Sequence, residues 1–337
     1  MKKYKALKII GIIVACVVLF FTVINVIPPK ANVENNPFVV EEGELPMIAA
    51  HRGGGASNPE NTLLAFREAV NTFGVDIIES DLYLTKDGYL VYNHDAYIDE
   101  TCNVNGDIPL DVVELLCENE ENRHYIKDMT LSELQQYNFG YYFEDKSGER
   151  IYKDVTDLEG MGLQIATVDR LFAEFYMNRP DLLFIVEIKD EGKRGYEACR
   201  ILYKTLGQYP KYMDRIVVGT FHDEIEQELK DKYPSLLRGA PMGTAAKFVA
   251  TQYLGVNIFD DGDFACLQIP MTYDVGFELP LVAKTLVKRA HRRNIAVQYW
   301  TINDENEMRE LIELGCDCIM TDDPELLARV LKEYEGQ

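Results

Sequence analysis

The chain has 337 residues, 47% of them hydrophobic and 27% charged, and a formal net charge of −22. That is globular composition, long enough for one large domain or two smaller ones. Lys2, Lys3, Lys5 and Lys8 fall in the first eight residues, so everything after them is more acidic still; such a body repels phosphate backbones and argues against a nucleic-acid partner.

In chain order, the basic segment 1–8 comes first, followed by "IIGIIVACVVLFFTVINVI" over 9–27, which carries no charge. A helix of that length spans roughly 28 Å, close to the hydrocarbon thickness of a bilayer. Lysines before it, and "PPK" with an acidic stretch after it, predict an N-terminus inside and a body outside. The run is longer than a signal-peptide core and no A-x-A site follows it, which favours a retained anchor over a cleaved signal. "IVAC" at 13–16 looks like a lipoprotein processing site, but a further uncharged, mostly apolar run follows Cys16. The expected location is the cell membrane, single-pass, with the body extracytoplasmic. Residues 28–46, rich in Pro, Asn and Glu, read as a linker.

From 47 to 335, short apolar runs alternate with helical patterns. "MIAA" predicts a strand ending at His51. "PENTLLAFREAVNTF" predicts a helix, with Asn58 as N-cap, Pro59 at its first position and Leu63, Phe66, Val70 and Phe73 as its buried stripe. Strands follow at "VDIIESDLYL" and "YLVYNHD", then helix 167–178, strand "LLFIVEIK", helix 195–206, strand "IVVGTF" and helix 223–232. Strands "LLRGAP" and "CLQIP" come next without a helix assigned between them. Helix 280–293, strand "IAVQYW", helix 304–314, strand "CDCIMT" and helix 324–334 complete the series. About eight core strands, most followed by a helix, predict a TIM (β/α)8 barrel; a doubly wound open sheet is the alternative.

An insertion over about 95–165, after the second strand, breaks the rhythm. It is acidic, rich in tyrosine and carries a helix near "LSELQQY". Long excursions of this kind lie over the active face of a barrel. Of the seven cysteines, Cys16 lies in the span; Cys102 and Cys117 are spaced so that they can pair, though in no recognised framework, and most read as buried small hydrophobes.

Strand period two places Glu79 and Asp81 on one face of "DIIESDLYL", with Ile78, Leu82 and Leu84 on the other. In "FIVEIKD", Glu187 and Lys189 share a face in the same way. Carboxylates inside apolar strands are costly unless a cation compensates them. Three hard oxygen ligands, Glu79, Asp81 and Glu187, suit Mg²⁺ or Ca²⁺ better than zinc. His51 and His94 each end an apolar strand and suit general acid and base work. His124 reads as a charged-loop residue, His291 as surface, and His222 stays open. Arg52 offers a planar guanidinium to phosphate oxygens. "GGGASNPEN" is neither a dinucleotide fingerprint nor a P-loop. The set points to phosphoryl transfer.

These motifs resemble the glycerophosphodiester phosphodiesterase family, in its membrane-anchored bacterial form. "HRGGGASNPENTLLAF", "IESDLYLTKDGYLVYNHD", "MTLSEL", "VEIKD", "GTF", "LQIP", "YWTIND" and "IMTDDP" follow the family's order from about 47 to 330. The resemblance implies a TIM barrel, one divalent cation and hydrolysis of a small glycerophosphodiester to glycerol 3-phosphate and an alcohol, through a cyclic phosphate. It implies Glu79, Asp81 and Glu187 as metal ligands and His51 and His94 as the acid/base pair. Arg52 and Lys189 become phosphate-holding groups, with Trp300 at the substrate mouth. Ala166 and Asp323 depart from the usual pattern, where proline and a basic or polar residue are commoner. A lysophospholipase D type activity on membrane lysolipids, or a non-catalytic ectodomain binding a phosphorylated ligand, are the alternatives.

Overall fold

Apart from the run at Leu90–Tyr92, the apolar runs expected as strands pair in parallel, each with its neighbour in the series. The structure is a computed structural model describing residues 2–256, 261–274 and 276–335. A long apolar helix comes first, α1 (Lys2–Val26), followed by β1 (Met47–Ala50), α2 (Leu63–Glu68), β2 (Ile77–Leu84) and β3 (Leu90–Tyr92). The insertion carries α3 (Leu110–Cys117), α4 (Leu131–Leu134) and α5 (Leu158–Met161). Then come α6 (Val168–Phe175), β4 (Leu183–Ile188), α7 (Gly192–Leu206), β5 (Ile216–Gly219), α8 (Asp223–Lys232), β6 (Leu237–Arg238) and α9 (Met242–Leu254). The chain closes with β7 (Cys266–Ile269), the hairpin β8 (Thr272–Asp274) and β9 (Glu278–Pro280), α10 (Lys284–His291), β10 (Ala296–Tyr299), α11 (Glu305–Leu314), β11 (Cys318–Thr321) and α12 (Pro324–Lys332).

Eight parallel strands run in the order β6-β5-β4-β2-β1-β11-β10-β7, with β3 antiparallel to β2 outside the ring. A parallel bridge between Gly239 and Cys266 brings the two ends of that order together, with Ala240 N–H donating to Cys266 O at 2.9 Å. The result is the expected (β/α)8 barrel rather than an open sheet. Alternation divides the core in two. Ala49, Ile77, Leu183, Ile185, Val217, Cys266, Ala296 and Cys318 fill the barrel interior, while Ile48, Ile78, Leu82, Phe184 and Val186 pack outward against the helices.

The segment expected as a linker lies against the N-terminal end of the barrel. Phe38 is fully buried with the interior residues. Asn36 Nδ2 donates to the carbonyls of Ala265 (2.8 Å) and Asn294 (2.9 Å), and Val40 N–H donates to Asp317 Oδ1 (2.9 Å).

Three local expectations change. The first barrel helix starts at Leu63, not at Pro59. Asn61 takes a left-handed φ of 61°, and Thr62, not Asn58, is the N-cap, its Oγ1 accepting from Ala65 N–H. Asn58 instead accepts from the Tyr152 hydroxyl of the insertion at 3.0 Å. The stretch between β6 and β7 forms α9, burying Ala245, Phe248, Val249 and Gln252 at helical spacing. The tenth helix is shorter than 280–293, because Glu278–Pro280 pairs back on Thr272–Asp274. All seven cysteines are free thiols. Cys102 and Cys117 are buried in separate small cores of the insertion, which is why they do not pair.

Candidate active site

The C-terminal ends of the strands gather the acids. Because Ile77 faces the interior, alternation along β2 turns Glu79 and Asp81 inward as well, and both are buried. Leu183 and Ile185 do the same for Glu187 on β4. The register sets Asp81 directly opposite Glu187. Lys189 joins them: its Nζ lies 3.2 Å from Asp81 Oδ1 and 3.2 Å from Glu187 Oε1.

His51 and Arg52 follow β1 without a spacer, and the chain then turns through positive φ at Arg52 (52°), Gly53 (84°) and Gly54 (93°). The glycines answer to packing there. A Cβ on Gly53 would meet the Phe66 ring at 2.8 Å, and one on Gly54 would meet Pro324 at 2.8 Å. This tight turn leaves Arg52 N–H donating to Glu79 Oε2 at 3.1 Å. The Arg52 guanidinium pairs with Glu60 at 3.1 Å, while its Nε, 4.0 Å from Asp81 Oδ2, is buried without a hydrogen-bond partner.

His51 is held from both sides. Its Nδ1 bonds Asp322 Oδ1 at 2.6 Å, and its Nε2 lies 3.9 Å from Glu79 Oε2. A carboxylate only accepts, so Nδ1–H is the donor and Nε2 is the atom free to exchange a proton. Burial opposes a charge on the ring, but the Asp322 hydrogen bond and the charges of Glu79 and Asp322 outweigh it, and the His51 pKa sits above its ordinary value. Asp322 is itself held by Asn303, whose Nδ2 donates to Asp322 Oδ2 at 2.7 Å and whose Oδ1 accepts from Asp322 N–H at 2.9 Å. Burial alone would raise the Asp322 pKa, but His51 and Asn303 bring it below the usual range.

His94 follows β3, in a turn fixed by Asn93 Nδ2 donating to the carbonyls of Asp95 and Tyr97. Its Nδ1 is 3.2 Å from Asp95 Oδ1. Trp300 follows β10 and is 40% exposed, as a rim residue would be.

The electrostatics fit a hard divalent cation. Burial, and then the charge of Asp81, push the Glu79 carboxyl well above its ordinary range. Burial raises Glu187 too, with Lys189 opposing it. Crowded buried carboxylates of this kind carry surplus negative charge, and an all-oxygen donor set suits Mg²⁺ or Ca²⁺. Glu191, His222 and Glu224 form a second group, with ligand atoms within 4.8 Å of one another, but both carboxylates are exposed.

Two members of the site were missed from the sequence: Asp322, whose partner is 271 positions away, and Glu60, which holds Arg52. The available signal was position, since an acid directly after a barrel strand reads as functional. Asp323, one of the two departures from the family pattern, caps α12 by accepting from Leu326 N–H. His291 is not a free surface group but bonds buried Asp317 at 2.8 Å.

Comparison with known proteins matches this arrangement to one family. The family model "Glycerophosphoryl diester phosphodiesterase family" matches residues 51–326. A glycerophosphodiester phosphodiesterase from Caldanaerobacter subterraneus subsp. tengcongensis is 27% identical over 289 residues, covering 85% of this chain and 98% of that protein. A mouse lysophospholipase D is 25% identical over 308 residues, covering 85% and 86%. Among solved structures, a putative glycerophosphoryl diester phosphodiesterase from Silicibacter pomeroyi superposes with a TM-score of 0.64 at 17% identity, covering 88% of this chain and 96% of that one. An Oleispira antarctica phosphodiesterase, in complex with the product sn-glycerol-3-phosphate, gives 0.58 at 20% identity, covering 86% and 97%. With the family model spanning most of its length and the barrel and strand-end residues in place, the chain belongs to the glycerophosphoryl diester phosphodiesterase family.

Proposed function

We propose that the chain hydrolyses small glycerophosphodiesters to glycerol 3-phosphate and an alcohol. The observation that carries this reading is the convergence of His51, Glu79, Asp81, Glu187 and Lys189 at one end of a barrel. Glu79, Asp81 and Glu187 would hold the cation, which when bound supplies Lewis-acid stabilisation of phosphoryl oxygens. Lys189 and Arg52 bring positive charge to the same oxygens, Arg52 with an uncommitted buried Nε.

His51, oriented through Nδ1 by Asp322, presents Nε2 to take the proton from the attacking glycerol 2-hydroxyl, and His94 protonates the leaving alkoxide. Attack closes a five-membered cyclic phosphate and breaks the P–O bond to the alcohol. The reverse proton path, with water as nucleophile, opens the ring. Each histidine is worth about 10²–10⁴ in rate. Trp300 contributes a wall for the substrate at the rim.

The helix α1 contains one stretch, Leu7–Val26, long and apolar enough to cross a membrane, with mean hydropathy 2.9. We read it as a retained single-pass anchor with the barrel outside. The test of the chemical reading is a substrate panel of glycerophosphocholine, glycerophosphoethanolamine and a lysolipid, with His51→Ala and His94→Ala compared with the parent. Glycerol 3-phosphate release lost in both variants supports it; full activity in both overturns it.

A further inference from the structure

The anchor and the active site sit at opposite ends of the barrel. In the last turn of α1, Asn25 Nδ2 donates to Gly255 O at 3.2 Å, just past α9. Arg289 of α10 donates to Asn25 Oδ1 at 3.3 Å, and Arg292 donates to the carbonyls of Asn25 (2.7 Å) and Ile27 (2.8 Å). Those carbonyls end the helix and lack intrahelical partners, and cations suit that end of the dipole. Farther along, Asn32 N–H donates to Arg293 O at 2.8 Å, and Asn36 holds the carbonyls of Ala265 and Asn294. All the barrel residues in these contacts lie on the approaches to β7 and β10. His51, Trp300 and Asp322 instead follow β1, β10 and β11. From Asn294 to Trp300 extended chain rises roughly 20 Å.

The anchored end carries both signs of charge. Glu34, Glu41, Glu42 and Glu44 of the segment after α1 are exposed there, and the charge of Glu42 reaches His291, so the basic groups are concentrated on α10 beside the anchor's exit. In a chain of net charge −22, "KRAHRR" at 288–293 has four cations and no acid. Lys288 and Arg292 are exposed, and beside the anchor's exit so are Tyr253 (54%) and Leu254 (67%). If Leu7–Val26 crosses the hydrocarbon, Asn25 and Arg292 lie at headgroup depth, where basic and aromatic side chains are favoured.

We propose that the N-terminal end of the barrel rests on an anionic bilayer surface, with Lys288 and Arg292 among the headgroups. The mouth then opens into water, and the site takes water-soluble glycerophosphodiesters rather than lysolipids embedded in that bilayer. This rests on reading α1 as an anchor and the site as hydrolytic.

The test uses the full chain in phosphatidylcholine/phosphatidylglycerol vesicles containing headgroup spin-labelled lipid. Trp300 is the single tryptophan, so its emission reports the mouth. Leu254→Trp in a Trp300→Phe background reports the anchored end. The expected result is at least about fivefold greater quenching at position 254 than at Trp300, growing with phosphatidylglycerol content and growing less with Lys288→Glu. Equal quenching at the two positions, or quenching indifferent to anionic lipid, overturns the seating. In the same vesicles glycerophosphoethanolamine should exceed lysophosphatidylethanolamine by at least about 100-fold in kcat/KM; equal turnover overturns the substrate assignment. Cleavage of neither overturns the hydrolytic reading, with quenching still deciding orientation. Release of the chain by carbonate overturns the anchor and the seating together.

Discussion

His51 Nδ1 and Asp322 Oδ1 meet at 2.6 Å across the seam where the first barrel strand pairs with the last. The register explains the meeting: Ala50 is opposite Thr321, so the next residue on each strand is His51 on one side and Asp322 on the other. Closing the barrel therefore builds the orientation of a proposed proton-transfer group, and Asn303, just past β10, locks the acid in turn.

Asp322→Asn keeps the shape and removes the charge that fixes the His51 tautomer. We expect kcat on a glycerophosphodiester to fall by about 10–10²-fold, with KM changed less than about threefold. Steady-state kinetics, with thermal unfolding as a control, measure it. An unchanged kcat would remove Asp322 from the positioning role.

Glu79 predicts a trade between stability and function. A carboxyl whose folded pKa lies above its unfolded value destabilises the fold as pH rises past the unfolded value, and fully once pH exceeds the folded one. Glu79→Gln should therefore raise the Tm of the cation-free protein at pH 8, by about 2–4 °C for each kcal/mol relieved. Mg²⁺ or Ca²⁺ should raise the parent's Tm and leave that of the variant nearly unmoved. Calorimetric scans with and without chelator give both numbers.

His291 gives a pH test away from the site. Its hydrogen bond to buried Asp317 raises its pKa against the opposing effect of burial. The stabilisation is thus fully present below the unfolded value near 6.5 and fades as pH rises through the folded one. His291→Gln should cost about 1–2 kcal/mol at pH 5.5 and much less at pH 9, read by denaturant unfolding at each pH. A pH-independent loss would contradict the assignment.

Phe38 makes the N-terminal segment part of the fold. Phe38→Ala removes a fully buried ring from the barrel floor and should cost about 3–5 kcal/mol. A soluble fragment beginning at residue 30 should keep the Tm of the full chain's barrel, while one beginning at 46 should unfold at lower temperature.

Much of the barrel was legible because its signal is local. "IIESDLYL" and "FIVEIKD" reveal their buried acids through alternation alone, and the parallel pairing of β2 with β4 then sets Asp81 against Glu187. What escaped depends on distant closure or on single backbone angles. Nothing near His51 in sequence announces Asp322, since only β1 pairing with β11 joins them. The helix α2 starts later than propensity predicts because Asn61 adopts a left-handed conformation that propensity does not specify. Phe38 stands in the short run "PFVV", too brief to show a period, and its burial follows from a barrel end that needs a plug. The helix α9 does carry apolar residues at helical spacing, but Thr251 and Gln252 dilute the pattern.

The most direct measurement is phosphorus NMR of the purified full chain with glycerophosphoethanolamine, run with Mg²⁺ or Ca²⁺ and again with chelator. Glycerol 3-phosphate should appear with the cation, and should fail to appear with chelator or with Glu79→Gln. Phosphoethanolamine as the product, or glycerol 3-phosphate formed equally well in chelator, would contradict a cation-dependent glycerophosphodiester hydrolase built on Glu79, Asp81 and Glu187.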